Sequence, residues 1–178
     1  MDGLTHRLAR IEDLAELRAL MRRSIDQLQD EFLTPAQVAA SHKVMGLDAQ
    51  LIEDQTYYVV EIEGVIAGCG GWSWRTTLYG GDDSIVAREP AALDPGRDPA
   101  KIRAMYTNPD FARRGIGRAI LQLCEDAARN AGFRRAEMMA TLAGEPLYRA
   151  CGYRAVESAE SGLIGAVRVP LLRMEKRL

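Results

Sequence analysis

The stretch FARRGIGRAI, residues 111–120, constrains this chain more than any other. Gly115 and Gly117 stand one residue apart, with Arg113 and Arg114 before them and Arg118 after. Upstream, residues 101–107 (KIRAMYT) read as a strand that Asn108 and Pro109 end. Downstream, Ile116, Ala119, Ile120, Leu123, Ala127 and Ala131 fall on one helical face, and Gly132 supplies a C-cap. A turn that opens a helix leaves several backbone N–H groups pointing the same way, at the positive end of the helix dipole. Glycine removes the Cβ that would keep a ligand off the backbone, and the arginines add charge. The unit therefore suits a phosphate group. It also suits a tight turn with no ligand at all. It is not a P-loop, because Gly117 is followed by Arg-Ala and not Lys-Ser/Thr. Nor is it a dinucleotide fingerprint, which wants a third glycine where Ile120 stands and a place after the first strand.

The rest of the chain supplies alternating elements. Residues 5–10 read as an edge strand. From Asp13 onward Leu14, Leu17, Leu20, Met21, Ile25 and Leu28 mark an amphipathic helix. Thr34-Pro35 reads as an N-cap and first helical residue, and Gly46 bends or ends that second helix. Residues 57–62 and 65–74 form a hairpin about Glu63-Gly64. Gly68, Gly70 and Gly71 predict a bulge or a close backbone approach in its second strand. Some 25 residues then lack periodicity, a length that marks a functional or disordered loop. RRAEMMAT is a further strand, and residues 144–150 a short helix. Residues 153–156 and 166–176 look like the last strands, with Pro170 tolerable at an edge or bulge. This mixed order argues for an α/β or α+β sandwich, a mixed sheet with helices on both faces.

At 178 residues the chain suits one domain with one core. A net charge of −2 favours neither nucleic acid nor membrane as a partner. No apolar run is long enough for a bilayer, and the N-terminus lacks a signal-peptide core. Cys69, Cys124 and Cys151 have no metal spacing and are odd in number. His6 and His42 lie in no metal motif, so no metal is expected, and a reducing cytoplasm is the simplest home. Charge is unevenly spread. Residues 48–99 carry ten acidic side chains against three arginines, and residues 100–135 eight basic against three acidic. The acidic balance, especially YGGDD in the long loop, predicts that it steers a cationic partner.

Taken together, residues 102–154 (IRAMYTNPDFARRGIGRAILQLCEDAARNAGFRRAEMMATLAGEPLYRACGYR) resemble the GCN5-related N-acetyltransferase superfamily. There a strand ends in a Pro-containing turn, and a Gly-x-Gly/Ala elbow opens a long helix. A strand follows, then a short helix carrying LY and ending CGY or LGF. With the N-terminal helices and the EIEGVIAGCGGW hairpin, the resemblance spans nearly the whole chain as one N-acetyltransferase domain, residues 1–178.

The resemblance implies an acyl-CoA N-acyltransferase fold with a V-shaped opening between strands 102–107 and 136–141. Acetyl-CoA, as co-substrate, would lie there. Backbone groups of Met105, Tyr106 and Thr107 would pair with its pantetheine arm. Backbone N–H groups of Arg113, Arg114, Gly115, Ile116, Gly117 and Arg118 would hold its pyrophosphate. Tyr148 matches the tyrosine that protonates the departing thiolate in many relatives. Two positions depart from the pattern. Ala112 stands where Gln or Arg usually begins the elbow, and Thr141 where many relatives carry the cofactor-contacting Asn.

The implied reaction is acetyl transfer to a primary amine by direct attack in a ternary complex. The acceptor is a small-molecule or peptide amine, and a homodimer stays open. The general base is not visible, since Arg103 stands where relatives often carry Glu. Glu61, Glu137, Asp82 and Asp83 are the candidates, but each reads first as a solvated charge, and no base is named. A non-catalytic acyl-CoA-binding or regulatory module on the same fold is the alternative.

Overall fold

The expected hairpin forms between β2 (Tyr57–Ile62) and β3 (Val65–Ser73). Glu63 and Gly64 turn it with φ of 51° and 79°, the left-handed pair that a two-residue hairpin turn requires. The computed structural model describes residues 3–178 and extends this hairpin into a seven-stranded sheet, ordered β1-β2-β3-β4-β5-β7-β6. β1 (Leu4–Leu8) is one edge, as expected, and β6 (Arg154–Glu160) the other. β4 (Ala100–Thr107) and β5 (Arg135–Thr141) are the parallel pair, and the helix α4 (Ile116–Asn130) makes the crossover such a pair needs. β7 (Pro170–Arg177) lies between β5 and β6, antiparallel to both.

Alternation along the strands sends side chains to two faces. Val60, Ala67 and Trp72 pack with Ile116, Ile120, Leu121 and Cys124 of α4. Val59, Ile66 and Cys69 pack on the other face with Leu17, Leu20 and Ile25 of α1 (Leu14–Leu28) and Leu51 of α3 (Ala49–Glu53). α2 (Pro35–Val44) covers Val169 and Leu171. Its start is a reciprocal cap: Gln37 N–H donates to Thr34 Oγ1 at 3.3 Å, and Thr34 N–H to Gln37 Oε1 at 3.1 Å. The glycines of β3 do what their number suggested. A Cβ on Gly68 would meet Ile116 Cγ2 at 2.6 Å, and one on Gly70 would meet Ile120 Cγ2 at 2.7 Å, so α4 rests directly on the strand.

Several boundaries differ from the sequence reading. α3 forms where no helix was expected, because Asp48 caps it by accepting the Gln50 N–H at 3.1 Å. β6 runs on to Glu160, carried by its ladder with β7 and not by its own mostly exposed side chains. β7 starts at Pro170, and it is not an edge strand; the proline sits at its first residue, where a missing N–H is tolerated. The long segment after Trp74 folds back on itself and on the helices. Leu93 N–H donates to Trp74 O at 2.9 Å, Asp82 N–H to Leu47 O at 3.0 Å and Ile85 N–H to Lys43 O at 2.9 Å. Trp72 is a core residue, as weighed for one of the two tryptophans, whereas half-buried Trp74 lies under the Arg75 guanidinium at 4.0 Å. Among the described residues no helix is long and apolar enough to cross a membrane.

Candidate active site

β4 and β5 pair at only two positions, Ala100↔Ala136 and Lys101↔Glu137. Beyond them the strands part, while β4 runs on to Thr107 and β5 to Thr141. Their facing edges therefore hold N–H and C=O groups with no strand partner, in the middle of a sheet. A bulge adds to the parting. On β3 the paired residues Cys69 and Gly71 are two apart, while their partners Tyr106 and Arg103 are three apart. Ala104 carries the extra residue at φ 49°, and the buried Tyr57 hydroxyl pins it by donating to Ala104 O at 2.7 Å.

The opening leads to the start of α4. Arg113 and Gly115 both lie in the left-handed region, at φ 64° and 80°. No side chain caps this helix, so the N–H groups of its first turn, at Ile116, Gly117 and Arg118, have no partner from the helix. Arg113, Arg114 and Arg118 are exposed, and no ion pair occupies them among the described residues. The nearest carboxylate in sequence, Asp110, is taken by Arg23 at 3.0 Å. This is an exposed, positively charged helix end with free donors, fit for a pyrophosphate.

Gly117 has a second task that the sequence did not reveal. A Cβ there would meet Leu147 Cδ2 at 2.7 Å, so its bareness lets α4 touch α5 (Glu145–Ala150). α5 carries Tyr148, whose ring is buried and meets Tyr153 edge-on at 6.2 Å. A Cβ on Gly144 would strike that ring at 2.7 Å. The Tyr148 hydroxyl makes no hydrogen bond among the described residues, and burial pushes its pKa well up. Thr141 accepts the Gly144 N–H through Oγ1 at 3.1 Å, which leaves its own O–H free to donate.

A cavity of about 210 Å³ joins these parts. Met105, Tyr106, Thr107, Gly117, Thr141 and Tyr148 of the expected set line it. Arg113, Arg114, Gly115, Ile116 and Arg118 do not; they form the exposed elbow beyond its mouth, except that the Ile116 side chain is buried in the core. Tyr106 contributes main chain to the opening, while its buried hydroxyl lies against Gly46 O at 3.4 Å. Sequence reasoning missed the far end of the cavity, built from Ser24 of α1, Gln29 just after that helix, Met45 and Gly46 after α2, and Tyr79 of the long loop. The one available signal was the length of that loop.

None of the four base candidates lines the cavity, and three of them are held in ion pairs. Glu137 is held by Lys101 and by Arg173 at 3.3 Å. Glu61 pairs with Arg7 at 2.9 Å, and Asp82 with Arg88 at 2.9 Å. Asp83 is exposed and lines no part of the cavity. Arg103 is buried and pairs with Asp48 at 3.0 Å, while donating to Gly80 O at 2.8 Å. Burial pushes the Arg103 pKa down and the Cys69 thiol up to about 12. Cys124 is buried and likewise pushed up, so neither thiol is a nucleophile near neutral pH.

Residues 18–153 match the acetyltransferase (GNAT) family, and the chain belongs to it. It is on that ground an acetyltransferase. Solved structures agree on the fold. The GCN5-related N-acetyltransferase of Rhodopseudomonas palustris superposes with a TM-score of 0.69 at 18% identity, over 100% of this chain and 98% of that one. YncA of Salmonella typhimurium, solved with acetyl-CoA, gives 0.64 at 18% identity over 99% and 94%. The PaiA N-acetyltransferase of Thermoplasma acidophilum, solved with coenzyme A, gives 0.63 at 13% identity over 98% and 99%. No curated protein matches the sequence.

Proposed function

We propose that this chain, acting as a single catalytic domain, transfers the acetyl group of acetyl-CoA to a primary amine by direct attack. The observation that carries this reading is the parting of β4 from β5 after Lys101, which aims open strand edges at an uncapped helix start. The main chain of Met105, Tyr106 and Thr107 pairs with the pantetheine amides, and the Thr141 hydroxyl donates at the same opening. The N–H groups from Arg113 to Arg118 hold the pyrophosphate, with the three arginines as counter-charge. Two of the relatives in solved structures carry acetyl-CoA or coenzyme A, which supports the same ligand here.

In the reaction the amine nitrogen bonds to the acetyl carbon as the C–S bond breaks and its electron pair leaves with sulfur. A β4 N–H beside Tyr106 bonds the carbonyl oxygen as it gains charge. The nitrogen loses one proton to water after the C–N bond forms, while Tyr148, kept protonated by burial, gives its proton to the thiolate and is reprotonated from solvent. No cysteine lines the cavity among the described residues, which supports direct attack over a cysteine-bound acetyl group. Initial rates of CoA release with both substrates varied test this. Intersecting double-reciprocal lines and an unlabelled protein after incubation with labelled acetyl-CoA are expected. Parallel lines with a stoichiometric acetyl-protein would overturn direct attack.

A further inference from the structure

The far end of the cavity carries the chemistry of the acceptor. It is walled by Leu28, Val44, Met45, Leu78, Met139 and Leu171. Among the described residues no Asp, Glu, His or Lys lines the cavity, and its one formal charge is the cation Arg103. Of the ten acidic residues in 48–99, expected to attract a cation, none lines the cavity, and those nearest it in the fold are paired with arginines. Asp48 faces Arg103 and Arg88, Asp54 faces Arg75, and Asp82 faces Arg88 and Arg18. An ammonium entering this end would lose its water and find no carboxylate to replace it.

Two buried polar atoms of the lining have no partner among the described residues, Arg103 Nε and Gln29 Oε1, and of these only the Gln29 oxygen can accept an N–H. Gln29 is 6% exposed; its Nε2 donates to Met45 Sδ at 3.2 Å, while Oε1 has no partner among the described residues. A buried carbonyl oxygen without a donor is costly, and an incoming N–H would satisfy it.

Resting on the acetyltransferase reading above, we infer that the acceptor is a weakly basic, apolar primary amine, bound as the free base with an N–H donated to Gln29 Oε1. An aromatic amine has this chemistry; a polyamine or aminosugar does not. The proton bookkeeping agrees with a cavity that holds no base. A neutral amine needs no proton removed before attack. The nitrogen loses one proton to water after the C–N bond forms, and the thiolate gains one, so the products are the amide and the free thiol.

The test compares p-toluidine, benzylamine and spermidine as acceptors with acetyl-CoA. At neutral pH kcat/KM for p-toluidine should exceed that for spermidine by about tenfold or more, the scale of discrimination in an apolar pocket. With p-toluidine the rate should be flat from about pH 6 to about pH 9, while with benzylamine it should rise with that amine's own ionisation. Gln29→Leu should raise KM for p-toluidine and leave KM for acetyl-CoA unchanged. Calorimetry on the CoA-loaded protein should show p-toluidine binding that Gln29→Leu weakens. A preference for spermidine, or an acidic limb with p-toluidine, overturns the inference while leaving acetyl transfer intact; an unchanged KM and affinity in Gln29→Leu overturns the role of Gln29. Failure of acetyl-CoA itself to bind or react defeats instead the reading on which it rests.

Discussion

Tyr148 shows how much one side chain depends on its neighbours' lack of bulk. Gly144 leaves its ring room, and Tyr153 holds it edge-on. Burial raises its pKa above the usual value near 10, so the hydroxyl stays an acid throughout the neutral range. Tyr148→Phe keeps the ring and removes the proton. It should lower kcat by about 10²-fold, or roughly tenfold if water substitutes, with acetyl-CoA affinity unchanged. Single-turnover rates and equilibrium binding on the same variant decide this, and an unchanged rate removes Tyr148 from the mechanism. Because the shift is upward, no alkaline loss of activity from Tyr148 is expected below its ordinary pKa. Gly144→Ala should lower kcat too, since its Cβ displaces the ring.

At the scale of elements, β4 is fixed from beneath by an ion pair. Arg103 leaves the strand for Asp48, which at the same time caps α3. Asp48→Asn keeps a capping oxygen and deletes the charge, so Arg103 is buried without an anion. The loss should be about 3 kcal/mol, which at roughly 2–4 °C per kcal/mol for a chain of this size lowers Tm by about 6–12 °C. The double variant Asp48→Asn/Arg103→Met should recover much of that loss; equal Tm for wild type and Asp48→Asn would show that the pair contributes nothing. This pair also shows why part of the site was illegible. Asp48 and Arg103 are 55 residues apart in sequence and belong to no local pattern. α1, α4 and the β2–β3 hairpin were legible because each announces itself locally, through helical spacing, a left-handed turn or strand alternation. β6 was read too short because its stability lies in its partner. Gly117 was legible as a residue that must stay bare, but the atom it makes room for, Leu147 Cδ2, comes from another element.

Across the whole molecule the sheet has two halves joined by a short parallel seam. β1 to β4 form one antiparallel run, β5 to β7 the other, and only Ala100–Lys101 and Ala136–Glu137 bind them in the ladder. A ligand lying beyond that seam touches both halves and should stabilise the fold by linkage. Acetyl-CoA at about 100 times its dissociation constant should add roughly 2.7 kcal/mol, or about 5–10 °C in Tm. NADH and ATP should do much less.

Calorimetric titration of the wild-type protein and of Gly117→Val with acetyl-CoA tests the account most directly. The wild type should show one saturable site. In Gly117→Val the added bulk crowds Leu147 and the elbow at once, so the same titration should show affinity reduced by an order of magnitude or more while the protein stays folded. Absence of saturable binding at millimolar acetyl-CoA, or equal affinity in the two proteins, would contradict it.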